Sequence, residues 1–161
     1  MATTTRGTAK VTLPSDDQIL ITRDFAAPPH LVFRAYTTPE LVARWWHADR
    51  GTVDSIDIDL RVGGRWRYAM TAHAGFPVVF HGEYLEVVPN EKLVSTEIFE
   101  GMPEAAATTT ATFTDNGGGT TLAILVQHKS KAYRDAQLQS GMEAGLQDAL
   151  DHLDELAAGA A

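Results

Sequence analysis

No cysteine occurs in the 161-residue chain, which removes disulfides, thiolate metal sites and cysteine nucleophiles together. Basic residues are also few: 13 Lys and Arg stand against 21 Asp and Glu, for a formal charge of −8. Such a surface repels a phosphate backbone, and no cluster of Lys or Arg offers a local exception, so nucleic acid is excluded as a partner. Long apolar runs are missing as well. None approaches the roughly 20 residues that a helix needs to cross a bilayer, so no membrane insertion is expected. The opening MATTTRGTAK has no apolar stretch of the kind that marks a secretory signal, and a cytoplasmic protein is expected. Histidine is present, at His30, His47, His73, His81, His128 and His152, but with no HxH or HExxH spacing. Neither a P-loop nor a GxSxG elbow occurs, so neither metal nor cofactor is expected, and a serine hydrolase is poorly supported.

What remains is ordinary for a globular protein, with 44% hydrophobic and 21% charged residues in a length that suits one core. Residues 1–15 carry five threonines, Gly7 and Pro14 without periodicity. They read as a loose arm ahead of a single domain over 16–161, and their removal is expected to leave stability nearly unchanged. Ile19, Leu20, Ile21 and Phe25 then make a strand that ends at Ala27-Pro28-Pro29. HLVFRAY follows as a short helix, and Thr38-Pro39-Glu40 opens a second that runs to about Trp46.

Beyond the helices the pattern has a period of two. Ile56, Ile58 and Leu60 alternate with acids, Trp66, Tyr68 and Met70 alternate with Arg65 and Arg67, and runs over 78–88, 93–99, 107–114 and 120–128 continue it. About seven strands joined by hairpin-length turns predict an antiparallel sheet. The tail over 133–157 spaces Met142, Leu146, Ala149, Leu150, Leu153 and Leu156 by threes and fours, the stripe of a helix. Read as one helix it would be on the order of 36 Å long. Its apolar stripe needs the dry face of the sheet, and a twisted sheet closed on one helix leaves space between them unless large side chains fill it.

The candidate site residues are those that would face this space. Trp66, Tyr68 and Met70 share one strand face, Trp46 closes the second helix, and Met142 lies between Gly141 and Gly145 on the last one. Each glycine costs a helix about 1 kcal/mol, so both read as making room, and Gly145→Ala is expected to overpack. His81 and Glu83 are in phase with Val79, Leu85 and Val87, while Phe80, Gly82, Tyr84 and Val88 compete for the same face. Glu97 and Phe99 are in phase with Leu93, and His128 with Leu122, Ile124 and Val126. Polar groups on a dry face read as anchors for a ligand, as a general acid/base pair, or as satisfied core residues.

The order of elements, with AAPPHLVFRAYTTPELVARWW near the start, GGRWRYAM, GEYLEVVPNEKLV and a closing SGMEAGLQDALDHL, resembles the family named for the activator of Hsp90 ATPase, homolog-1-like. That family belongs to the START/Bet v 1-like superfamily, and the resemblance covers about residues 17–157. It implies an α+β helix-grip fold: a seven-stranded antiparallel sheet wrapped around a long C-terminal helix, with a ligand cavity between them. It does not imply a reaction. The leading reading is a binding protein for a hydrophobic or aromatic small molecule. The alternatives are a cavity enzyme of the cyclase, dehydratase or hydrolase kind using His81, Glu83 or His128, and a partner-binding module like part of the Hsp90 activator. A homodimer is left open.

Overall fold

The computed structural model describes residues 9–159. Along strand β2 (Gln18–Phe25) every second residue turns inward, and Ile19, Ile21, Arg23 and Phe25 are all buried. For residues 10–12 the structure corrects the expectation of a loose arm: they form a short strand, β1 (Lys10–Thr12), antiparallel to β2. Ala9 is fully buried, and its backbone N–H and C=O each make a 2.8 Å hydrogen bond with the side-chain amide of Gln147. Three residues are too few to display a period of two, so nothing in Lys-Val-Thr announces the strand. Truncation through residue 14 would remove this pairing and is no longer expected to be neutral; residues 1–8 lie outside the described residues.

Helices α1 (Pro29–Thr37) and α2 (Pro39–Trp45) each begin on a proline, whose missing N–H would be unbonded there in any case. Strands β3 (Gly51–Ile58), β4 (Arg65–Ala72), β5 (Pro77–Val88), β6 (Lys92–Phe99), β7 (Ala107–Asp115) and β8 (Thr120–Gln127) follow. With β1 and β2 they make one eight-stranded antiparallel sheet rather than seven strands, in the order β1-β2-β8-β7-β6-β5-β4-β3.

The single long helix expected over 133–157 is two helices, α3 (Lys131–Gln139) and α4 (Met142–Gly159). Between them Gly141 takes φ +83°, a left-handed conformation that stops α3 and that glycine adopts without strain. The apolar spacing by threes and fours begins only at Met142; the segment before it, KAYRDAQLQ, is largely polar. Helix α4 buries Ala149, Leu150, Leu153 and Ala157, with Leu153 fully enclosed. Burial of each such leucine contributes about 1.5–3 kcal/mol. Arg23 ties α4 to β2: its guanidinium lies 2.7 Å from Asp151 and 3.7 Å from Asp154, over the ring of Phe25.

Candidate functional site

A cavity of about 450 Å³ lies where the sheet meets α1, α2, α3 and α4. Strand β4 supplies Trp66, Tyr68 and Met70 to its wall, from one face as the period of two requires. The Trp66 and Tyr68 rings are 4.8 Å apart, and Trp46 stands edge-on to Tyr68 at 5.4 Å and to Phe80 at 6.2 Å. Trp45 is the more buried of the adjacent tryptophans, its indole N–H donating to the Ala35 carbonyl at 2.9 Å and its ring stacked on Tyr36. Helix α4 faces the space with Met142, Gly145, Leu146, Ala149 and Leu150, none of them charged.

Gly82 seats the Trp66 indole. It pairs with Trp66 across β4 and β5, and a Cβ there would stand 2.7 Å from Trp66 Nε1 and closer still to the backbone carbonyl of Thr96.

The inward phase expected for His81 and Glu83 is corrected. Phe80, Gly82 and Tyr84 take the inner positions, Glu83 is exposed, and His81 Nδ1 lies 2.9 Å from Glu100 with its side chain 39% exposed. The cause is an irregularity in the β5–β6 pairing between Tyr84 and Glu86, which shifts the alternation by one residue. Val87, beyond the shift, packs on the core, whereas Leu85, at the shift itself, is 47% exposed. Reading one phase through 79, 85 and 87 therefore inverted the half of the strand that matters.

Of the other candidates, Trp46, Met142 and Glu97 line the cavity, whereas Phe99 and His128 do not. Phe99 packs on Phe80 with ring centroids 5.0 Å apart and stays 39% exposed. His128 is buried, as its phase with Leu122, Ile124 and Val126 requires, but beyond the cavity wall. Burial holds its imidazole below the ordinary value, with Gln137 opposing the shift. Glu97 is the carboxyl in the cavity wall. Part of its surface stays open, yet it lines the cavity, and removal from water pushes its pKa up to about 7.

Sequence reasoning missed the segment after α2. His47 and Arg50 line the cavity, and Ala48 and Asp49 take φ of 52° and 61°. The segment is held from three sides: His152 Nε2 is 2.8 Å from the Asp49 carboxylate, His73 Nε2 donates to the Asp49 carbonyl at 2.8 Å, and Arg50 reaches Asp148 at 2.9 Å. No local pattern links residues 47–50 to 148–152, so only the fold reveals it. Among the described residues no three His, Asp or Glu side chains gather as a metal site.

Gly145 does not make room. A Cβ there would meet Arg50 at 3.6 Å or more, an ordinary contact. Gly145→Ala is therefore expected to stabilise the protein by about 0.4–1 kcal/mol in urea denaturation, the reverse of the sequence expectation; a loss of stability would contradict the geometry.

Over residues 26–158 the chain matches the family model described as activator of Hsp90 ATPase homolog 1-like protein. Among solved structures, a protein from Rhodobacter sphaeroides is 25% identical and superposes with a TM-score of 0.87, over 94% of this chain and 99% of that one. Protein CV1439 from Chromobacterium violaceum is 30% identical, with a TM-score of 0.77 over 89% of this chain and 98% of its own. An AHSA1-like protein from Aeromonas hydrophila, 23% identical with a TM-score of 0.69 over 89% and 93% of the two chains, shares the fold. No curated protein matches.

Proposed function

The chain belongs to the activator of Hsp90 ATPase homolog 1-like family, and from that premise we propose that it binds a planar hydrophobic or aromatic small molecule in the cavity between its sheet and α4. The observation that carries this reading is the cavity wall: Trp46, Trp66, Tyr68 and Phe80 on one side, and Met142, Leu146 and Leu150 on the other, around about 450 Å³. That volume falls within the roughly 300–1,000 Å³ of small-molecule sites, and aromatic rings suit a flat apolar guest. The cavity-enzyme reading loses its acid/base candidates, because His81 pairs with Glu100 at the surface, Glu83 is exposed and His128 does not line the cavity.

The test is a thermal shift with 2-naphthol. A guest should raise the melting temperature by an amount equivalent to about 2.7 kcal/mol at a hundredfold excess over Kd, and it should alter tryptophan fluorescence. Met142→Trp, placed at the start of α4, should fill the space and abolish the shift while the fold persists. A folded Met142→Trp variant that binds the probe as well as the parent would overturn the reading.

A further inference from the structure

Resting on that reading, we propose that the guest carries a cationic amine on its planar body and that Glu97 is the residue that receives it. Glu97 sits in the cavity wall, and among the described residues no hydrogen bond or ion pair holds its carboxyl. The fixed cation of the wall, Arg50, is engaged elsewhere: its guanidinium donates to the Ala48 carbonyl at 2.7 Å and to Asp148 at 2.9 Å. A carboxylate without a counter-ion, in a wall that also holds Trp46, Trp66 and Tyr68, is the pairing that favours an ammonium, since ring faces attract cations and repel anions. The net charge of −8 adds a long-range pull in the same direction.

The other groups that face Glu97 leave this charge uncompensated. Tyr36 from α1 and Tyr68 from β4 have hydroxyls that burial holds well above their ordinary value, so they are neutral. Helix α4 presents no charge, β7 presents Thr109, α3 presents Gln137, and His47 completes the titratable set with Arg50. With the empty-state Glu97 at about 7, an ammonium must displace a proton at pH 6 but hardly at pH 8. Its affinity should therefore rise about tenfold between those values, whereas a neutral guest should show no such change.

Calorimetric titration of three naphthalenes of similar size separates the possibilities. At pH 8, 1-naphthylmethylamine should bind at least ten times more tightly than 1-naphthalenemethanol, and 1-naphthoate should bind most weakly. The preference for the amine should shrink about tenfold at pH 6 and vanish in Glu97→Gln. An amine no tighter than the alcohol, a preference that survives in Glu97→Gln, or a naphthoate that binds best would each overturn the proposal while leaving the cavity as a binding site. Failure of all three probes to bind would remove the cavity reading as well.

Discussion

Glu97→Gln is expected to raise the melting temperature at pH 8 by roughly 6–12 °C and to leave it nearly unchanged at pH 4, for a domain of this size. Burial lifts the folded-state pKa of Glu97 from 4.5 to about 7. Between those values the folded protein holds a proton that the unfolded chain has lost, so stability falls as pH rises through that window and stays low above it. The loss is about 3 kcal/mol at 1.4 kcal/mol for each unit of pKa. Glutamine carries no charge at either pH and escapes it. Differential scanning calorimetry of the two proteins at both pH values gives the answer: an equal change at pH 4 and pH 8, or a lower melting temperature for the variant at pH 8, would contradict the account.

Gly82→Ala is expected to cost about 3 kcal/mol or more, the upper end of what overpacking does. The added methyl would collide with the carbonyl of Thr96, which is backbone and cannot swing aside, and with Trp66 Nε1 at 2.7 Å. If Trp66 yields, its indole has the cavity to move into, so the variant should combine lost stability with altered tryptophan emission. Urea denaturation followed by fluorescence measures both. A loss below about 1 kcal/mol would mean that the indole does not rest on Gly82, and the cavity wall would need redrawing. The contrast with Gly145→Ala is informative, since both are glycines inside regular elements and only the surroundings differ.

Much of this fold could be read from the chain because its signals are local. The alternation through Trp66, Tyr68 and Met70 is one such signal, and all three side chains line the cavity. Strand β5 defeated the same rule at the irregularity by Tyr84 and Glu86, which depends on how β6 pairs with it. A sequence carries no mark for such a shift when apolar residues occupy both phases, as Val78, Val79, Phe80 and Leu85 do. The break at Gly141 was within reach: a glycine after a polar turn of helix, where the apolar stripe starts, is a stop signal. Strand β1 was not, because its three residues are too few to show a period, and neither was the anchoring of residues 47–50 on α4, where His152 lies 103 positions from its partner Asp49.

All three tryptophans line the cavity, as does the Met142 methyl, so intermolecular contacts can be measured where they matter. The most direct test is isotope-filtered NMR of the protein with 1-naphthylmethylamine. The account expects nuclear Overhauser contacts from the naphthyl protons to the Met142 methyl and the Trp46 and Trp66 indoles, and none to the outward-facing Leu85 or Phe76. Contacts confined to those exposed side chains, or none at all at saturating probe, would contradict it.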